Sequence, residues 1–235
     1  MTAGAGRLAV IPARGGSKRI PRKNIKPFAG KPMLSYAIDA ARASGLFDHI
    51  VVSTDDDEIA QLARSAGATV PFMRPPELSD DITPTVPVVA HAIRECAARG
   101  MAADQVCCIY PGVPLLEVAD LQQAFDLLQS SGSAYVFPVT TFPSAVQRAL
   151  QRDADGSTRP MYPQFASTRT QDLEPAYHDV GQFYWGAARS WLDGLNIHQN
   201  GRTIVVPEWR VVDIDTPADW QRAEALFHAL RGTGA

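Results

Sequence analysis

Short apolar runs alternate with helical patterns along the first 140 residues of the chain. The apolar runs at residues 8–12, 50–53 and 106–110 predict buried strands. Between them, apolar residues recur at helical spacing, as they do at residues 59–66. Strands that are separated by helices are typical of βαβ units. The pattern therefore predicts an α/β fold, with a mainly parallel sheet that is flanked by helices.

The remaining elements follow from the same patterns. We predict further strands at residues 70–73, 135–139, 182–185, 203–206 and 210–213, and helices at 32–45, 86–98, 121–128 and 216–230. Asp55 or Asp56 is expected to cap the helix that follows the second strand, and Asp55 and Asp57 are interpreted as capping groups rather than as site residues.

The alternation breaks between about residues 140 and 178. Pro, Arg, Asp and Thr are frequent there, and no long periodic element occurs. The chain contains no fixed-period repeat and no low-complexity tract. We therefore predict a single domain over residues 1–235, with a small excursion at about 140–178 that carries substrate contacts, dimer contacts or both.

Composition adds few constraints to this picture. The hydrophobic share of 46% is ordinary for a globular protein. No apolar run approaches the roughly 18 residues that span a bilayer, and the first residues carry only a six-residue apolar run, so we expect a cytoplasmic protein without a membrane segment. Cys96, Cys107 and Cys108 lack disulfide or metal-site spacing and are interpreted as buried free thiols.

The charge is distributed unevenly, although the net charge is only −3. Residues 1–38 contain eight basic residues and no acidic one, which leaves 14 basic against 25 acidic residues in the remainder. A basic run can bind nucleic acid or membranes. Here it contains glycines and follows an apolar strand, which favours a pocket for a polyphosphate, so we expect no nucleic-acid partner.

The loop after the first strand has the sequence Ala-Arg-Gly-Gly-Ser-Lys-Arg at residues 13–19. Glycines let a backbone approach an anion closely and present N–H groups to it. Arg14, Lys18 and Lys23 add charges that can balance a triphosphate. The loop matches neither the P-loop nor the dinucleotide-binding motif.

The run IPARGGSKRIPRKNIKPFAGKPML at residues 11–34 resembles the N-terminal signature of the CMP-sialic acid synthetase family of nucleotidyltransferases. STDDDEIA and RPPELSDD follow in the order and spacing of that family. The resemblance implies a Rossmann-like nucleotidyltransferase fold and CTP as a substrate. It further implies that the nucleotide contacts Arg14, Gly15, Ser17, Lys18, Lys23, Asn24, Arg74 and Thr85, with Arg74 and Thr85 near the cytidine.

One stretch departs from the family pattern. Sialic acid synthetases usually read LLQPTSPL after the fourth strand, whereas this chain reads CIYPGVPLL. Tyr110 replaces the glutamine, and Gly112 and Val113 replace the Thr-Ser pair. This change argues against sialic acid itself as the substrate.

Two carboxylates near the C-terminus stand at positions i and i+2. On an extended segment, Asp213 and Asp215 can face the same site, where Mg²⁺ would relieve their repulsion beside substrate phosphates. The family resemblance covers an acidic pair in this motif. The alternative is capping of the last helix by Asp215 or Thr216 with Asp219, which we accept for Asp219.

The segment TRTQDL followed by YHD-x-G, within residues 168–181, resembles the pseudaminic acid branch of the family. Arg169 is suited to a bidentate pair with the sugar carboxylate. Gln171, Asp172, His178 and Asp179 are candidates for reading its hydroxyl and acetamido groups. The resemblance also implies a homodimer in which the excursion completes the partner's site.

The predicted reaction is transfer of CMP from CTP to the anomeric hydroxyl of a nine-carbon acidic sugar, with Arg14, Lys18, Asp213 and Asp215 as catalytic groups. Pseudaminic acid is the first choice of sugar, and sialic, legionaminic or a shorter keto-deoxy acid is the alternative. A nicotinamide oxidoreductase would need a glycine fingerprint that is missing. A CTP-binding sensor without catalysis is the remaining alternative.

Overall fold

The computed structural model of the protein describes residues 6–232. Its strands are β1 (Arg7–Pro12), β2 (Pro27–Phe28), β3 (Lys31–Pro32), β4 (His49–Ser53), β5 (Gln105–Ile109), β6 (Tyr135–Thr141), β7 (Leu150–Arg152), β8 (Thr158–Pro160), β9 (Tyr177–Asp179), β10 (Phe183–Ala187) and β11 (Gly201–Val205). Its α-helices are α1 (Met33–Ser44), α2 (Asp57–Ser65), α3 (Thr85–Ala97), α4 (Val118–Ser131), α5 (Ala188–Leu192) and α6 (Pro217–Gly232).

The central sheet has seven strands and is mainly parallel. Its order is β11-β6-β10-β5-β1-β4, and β9 pairs with β6 beside this path. β1 is parallel to β4 and to β5, and β11 is parallel to β6. β10 runs antiparallel to both of its neighbours, and β9 runs antiparallel to β6. The predicted α/β fold is confirmed, and two reversed strands bring the start of β10 to the edge where β1 and β5 end.

The centre of the sheet is covered on both faces. In β1, Leu8 and Val10 pack with α3 on one face, and Ala9 and Ile11 pack with α1 on the other; all four are fully buried. Such two-sided burial is the physical reason why parallel strands read as continuous apolar runs. Within residues 6–232, no helix is long and apolar enough to cross a membrane.

The cysteines and the start of α2 test two local predictions. Cys96, Cys107 and Cys108 are buried and free, as predicted. The N-cap of α2 is Asp56, whose side chain accepts a hydrogen bond from the Ile59 amide. Asp55 makes other contacts, described below, so its interpretation as a capping group is wrong.

Two predicted strands are absent from the described chain. In place of a strand at residues 70–73, only Thr69 forms a parallel bridge, with Val51. Pro71 follows closely and has no N–H to continue a ladder. In place of a strand at residues 210–213, a 3-10 turn at Glu208–Arg210 leads into an irregular extended segment. There the Arg210 guanidinium pairs with the carboxylate of Asp120, on α4.

The segment 142–176 leaves the sheet after β6 and returns at β9. Its ends are held together by antiparallel pairing, in which Thr141 lies opposite Tyr177. Inside it are the hairpin β7–β8 and several 3-10 turns, and the segment is mostly exposed, including Leu150 and Met161. Because it lacks a buried core of its own, its conformation rests on local contacts.

Candidate active site

The glycine-rich loop leaves β1 and is anchored on the chain that follows β4. The Ala13 amide donates to the Ser53 carbonyl at 2.9 Å, and the Gly15 amide donates to Asp55 Oδ1 at 2.9 Å. A Cβ atom at Gly15 would lie only 2.7 Å from Asp56 Oδ2. This close approach requires glycine at residue 15, because any side chain there would collide with the start of α2.

A cavity of about 420 Å³ opens beside this loop. Six of the eight residues predicted to bind the nucleotide line it, although they come from three separate stretches of sequence: Arg14, Ser17, Lys23, Asn24, Arg74 and Thr85. Gly15 does not line it. Lys18 lies at an adjoining recess of about 60 Å³, which it shares with Arg14, Ser17, Arg19, Lys23 and Asp215. We call the larger space the nucleotide cavity.

Two cations of the loop share one carboxylate at the rim of the nucleotide cavity. Arg14 Nη1 donates to Asp81 Oδ1 and to the Asp80 carbonyl, both at 2.6 Å. Lys18 pairs with the other oxygen of the Asp81 carboxylate. Hydrogen bonds from Lys18 and then from Arg14 keep the pKa of the Asp81 carboxyl below its ordinary value. The two cations thus converge on one anionic group.

Buried polar atoms without partners mark the inner end of the nucleotide cavity. The Arg74 side chain is only 4% exposed, and Asp55 Oδ1 lies 3.8 Å from its Nη2. Arg74 Nε and Nη2 and Asn24 Oδ1 are buried and have no hydrogen-bond partner within residues 6–232. Burial lowers the pKa of Arg74, and Asp55 opposes that shift. Buried unpaired donors and acceptors at a cavity indicate a polar ligand.

Thr85 begins α3 and meets the residue that departs from the sialic acid pattern. Its hydroxyl lies 2.6 Å from the Tyr110 hydroxyl. Burial raises the pKa of Tyr110 to about 12, so the phenol stays protonated at neutral pH. Tyr110 and Thr85 also line a second cavity of about 450 Å³, together with Tyr184 and His198. The tyrosine therefore forms a wall shared by two cavities.

The acidic pair follows the turn at residues 208–210. Asp215 Oδ2 lies 2.7 Å from Arg19 Nη1, and Asp215 Oδ1 lies 3.5 Å from Lys23 Nζ. Asp213 lines a third cavity, of about 610 Å³, into which Asp215 does not project. The pKa of the Asp213 carboxyl is raised, first by partial loss of its water shell and then by the charge of Asp215.

The predicted capping role of Asp219 is confirmed. Its carboxylate accepts from the Thr216 amide at 2.8 Å, and its own amide donates to the Thr216 hydroxyl at 3.2 Å. This reciprocal pair is a capping box at the start of α6. Within residues 6–232, no group of three or more His, Cys, Asp or Glu residues could by itself hold a metal ion.

The Asp179 carboxylate, at the end of β9, contacts three other groups. It accepts from the Gly181 amide at 2.7 Å and from the Tyr184 hydroxyl at 2.9 Å, and it lies 2.7 Å from His198 Nε2. The His178 ring packs against Phe142, with ring centroids 4.9 Å apart. His178 and Asp179 line the same 610 Å³ cavity as Asp213, so these three predicted residues are brought together.

The other predicted sugar contacts lie apart from these cavities. Gln171 and Asp172 belong to an exposed 3-10 turn in the segment 142–176, and Arg169 directly precedes that turn. Arg169 Nε lies 4.0 Å from Asp172 Oδ2, and all three residues are absent from the walls of the cavities described above. The chain by itself does not bring them to the remaining site residues.

Among the polar residues at these cavities that were not predicted as site residues, Arg19, Asp81, Tyr110 and His198 have contacts described above. Arg19 lies in the basic run and Asp81 in the RPPELSDD stretch, so both carried a signal in their neighbourhood. Tyr110 was noted only as a departure from a pattern. His198 carried no signal, because its partner Asp179 is 19 residues away.

Comparison with known proteins agrees with this arrangement. A family model described as cytidylyltransferase matches residues 8–155. The chain is 41% identical to the pseudaminic acid cytidylyltransferase of Campylobacter jejuni, over 94% of this chain and 95% of that protein. It is 30% identical to the CMP-N,N'-diacetyllegionaminic acid synthase of Legionella pneumophila, over 94% and 95% of the two chains.

The solved structure of a CMP:2-keto-3-deoxy-manno-octonic acid synthetase complexed with CTP has the same fold. Its TM-score is 0.72 at 19% identity, covering 96% of this chain and all of that one. The described sheet, the family model and the identity over nearly full lengths agree with one another. The chain therefore belongs to the cytidylyltransferase family.

Proposed function

We propose that the protein transfers CMP from CTP to the anomeric hydroxyl of pseudaminic acid and releases pyrophosphate. The observation that carries this proposal is the nucleotide cavity, where six residues from three separate stretches of the chain converge. The 41% identity to a pseudaminic acid cytidylyltransferase supports the choice of sugar over legionaminic acid, whose synthase is 30% identical.

The nucleotide is proposed to lie with its phosphates at the glycine-rich loop and its cytidine at Arg74 and Thr85. Arg14 and Lys18 already converge on the Asp81 carboxylate, which supports their role as an anion-binding pair. Buried donors of Arg74 and the buried acceptor of Asn24 lack partners within the described residues, which supports a polar ligand at the inner end.

Asp213 and Asp215 are the residues proposed to hold Mg²⁺. The raised pKa of Asp213 reflects in part the like charge of Asp215, and a cation between them would relieve that repulsion. Because no group of three His, Cys, Asp or Glu residues within residues 6–232 could by itself hold a metal ion, substrate and solvent oxygens would have to complete the site. Bound there, Mg²⁺ would supply charge stabilisation at the phosphoryl oxygens.

In the proposed reaction the anomeric oxygen of the sugar attacks the α-phosphorus of CTP. A new phosphorus–oxygen bond forms, the bond to the β-phosphate bridging oxygen breaks, and the hydroxyl proton leaves to solvent or to a base that we do not assign. Charge grows on the leaving pyrophosphate, so Arg14 and Lys18 would act by electrostatic stabilisation. Lys23 and Arg19 would keep Asp215 in place through their ion pairs.

The sugar is proposed to lie between the nucleotide cavity and the cavity lined by His178 and Asp179. Arg169, Gln171 and Asp172 would reach a sugar from a second copy of the chain, in a cytoplasmic homodimer. Their exposure on the segment 142–176, together with exposed Leu150 and Met161, supports that assembly.

Pyrophosphate release tests the proposal directly. The protein is incubated with CTP and Mg²⁺, in parallel with pseudaminic, sialic and legionaminic acids. Release with pseudaminic acid alone is expected. Release with another acid instead would keep the chemistry and discard the sugar. Binding of CTP without release for any sugar would favour a CTP sensor.

A further inference from the structure

Asp55 makes two contacts that helix capping does not explain. Its Oδ1 accepts the Gly15 amide at 2.9 Å and also lies 3.8 Å from Arg74 Nη2. The capping of α2 is left to Asp56. One carboxylate oxygen therefore lies close both to the glycine-rich loop and to a buried guanidinium that lines the nucleotide cavity.

Asp55 is the carboxylate that pairs with the Arg74 guanidinium. Arg74 is held at its backbone, where its amide donates to the Thr54 carbonyl at 2.7 Å. Its Nε and Nη2 have no hydrogen-bond partner within residues 6–232. Asp55 is its nearby anion, whereas Arg14 repels it. A buried cation with unpaired donors takes its position from the nearest opposite charge.

We infer that Asp55 is a positioning residue that fixes the distance between the phosphate-facing loop and Arg74, and thereby sets the affinity for CTP. Asp55 does not line the nucleotide cavity, so it acts through Gly15 and Arg74 rather than by touching the ligand. The inference rests on the proposed function, because it takes CTP as the ligand of that cavity.

The test compares Asp55→Asn and Asp55→Ala with the wild-type chain. Asn keeps an acceptor for the Gly15 amide but removes the charge that faces Arg74, and Ala removes both. We expect the Kd for CTP, measured by calorimetry, to rise about fivefold for Asn and about 50-fold for Ala. At saturating CTP, kcat should stay within about twofold, because Arg14 and Lys18 keep their own contacts with Asp81.

Asp57→Asn is the matched control. Asp57 lies two residues further along, in the first turn of α2, and its substitution removes the same charge from the same region. Its Kd for CTP should equal that of the wild type. An equal loss of affinity in Asp57→Asn would overturn the inference, because the effect would then be one of general charge.

A double-mutant cycle separates positioning from a general structural effect. In an Arg74→Met background, which keeps most of the buried volume, Asp55→Asn should change the Kd for CTP by less than about twofold. The full effect in that background would overturn the coupling. If Asp55→Ala does not fold, as judged by circular dichroism, the Asn variant and this cycle decide the question.

The outcomes also separate this inference from the proposed function. If the wild-type protein does not bind CTP, the proposed function fails. If the wild type binds CTP and a folded Asp55→Ala variant binds it equally well, only the role of Asp55 fails.

Discussion

The nucleotide cavity and the exposed arginines at residues 159 and 169 of the segment 142–176 differ in the origin of the contacts that orient their side chains. Around the cavity, Arg14 contacts Asp81, 67 residues away, and Lys23 contacts the Ile214 carbonyl, 191 residues away. In the segment, Arg169 has Asp172 as its neighbour, three residues away, and Arg159 pairs with Asp153 within one hairpin.

This difference separates side chains that the fold of one chain holds in place from exposed side chains that it leaves free to move. Side chains that are fixed by distant partners stay in place because the whole fold holds them. Side chains that are fixed by near neighbours keep their rotamer freedom and need an external surface to order them. The walls of the nucleotide cavity are therefore preformed, whereas the residues of the segment that we propose as sugar contacts would need another surface to order them.

The largest effect is expected for Asp215→Ala, beside the preformed nucleotide cavity. The substitution removes a proposed metal ligand and the partner of Arg19 and Lys23. We expect kcat to fall on the order of a thousandfold, measured as pyrophosphate release. Asp219→Ala removes the capping box and a long hydrogen bond from the Asp215 amide, at 3.3 Å, but keeps both carboxylates of the proposed metal site. It should lower the melting temperature and reduce kcat far less than Asp215→Ala does. Full activity of Asp215→Ala with Mg²⁺ present would disprove the metal assignment.

Arg169→Lys tests the proposed contact between the segment 142–176 and the sugar carboxylate. Lysine keeps the charge but cannot make a bidentate pair with a carboxylate. We expect the KM for the sugar to rise about tenfold or more, while the KM for CTP stays the same. Arg159→Lys, in the neighbouring hairpin, should change neither value. An equal rise in both KM values would mean that Arg169 does not act on the sugar separately from CTP.

Gly15→Ala and Gly16→Ala compare the packing of two neighbouring glycines in the glycine-rich loop. A Cβ at residue 15 would lie 2.7 Å from Asp56 Oδ2, whereas a Cβ at Gly16 meets nothing within 4 Å. Gly15→Ala should therefore lower the free energy of unfolding by about 1–3 kcal/mol. Gly16→Ala should have no such effect. Denaturant unfolding of the two variants measures the difference, and equal stability would show that residue 15 does not pack closely against Asp56.

The smallest effect concerns pH and the ion pair of Arg22 with Asp56. Hydrogen bonds from Arg22 lower the pKa of Asp56 below its ordinary value. A lowered pKa adds stability above the unfolded-state value of about 3.9, and that stability is lost as the pH falls through the folded-state value. Asp56→Asn keeps a capping side chain but loses the charge.

We therefore expect Asp56→Asn to cost about 1 kcal/mol at pH 7, a modest value because solvent reaches the Arg22 guanidinium. The cost should shrink when unfolding is measured below pH 4. A cost that is the same at both pH values would mean that packing, and not charge, explains the effect.

The sequence predicted most of the sheet and located the glycine-rich loop beside the cavity, because both depend on contiguous patterns; the binding roles of the loop residues stay predictions. Apolar runs located β1, β4 and β5, and one motif of about twenty residues contained Arg14, Lys23 and Asn24. Such signals survive without knowledge of the tertiary structure. The strand predicted at residues 70–73 was wrong. The prediction rested on the apolar character of these residues, whereas Pro71 has no amide hydrogen with which to continue a strand ladder.

Contacts between distant residues could not be predicted in this way. Asp55 reads as a helix cap beside Asp56, and only the fold brings the Gly15 amide, 40 residues earlier, to its carboxylate. No pattern in the sequence indicates the pairing of His198 with Asp179 either. The acidic pair was predicted to share one site, yet Asp213 and Asp215 line different spaces. Their common role stays a prediction.

The paired ends of the segment 142–176 have a consequence for design. Thr141 and Tyr177 lie opposite each other in the sheet, so the segment closes a loop whose two stems are already joined. Changing the length of such a loop costs little conformational entropy, because closure cost grows only slowly with length. The segment is thus a natural unit for grafting, because a counterpart from a relative could replace it without altering the register of β6. Such an exchange would separate the proposed sugar contacts of the segment from those on β9 and from the nucleotide cavity.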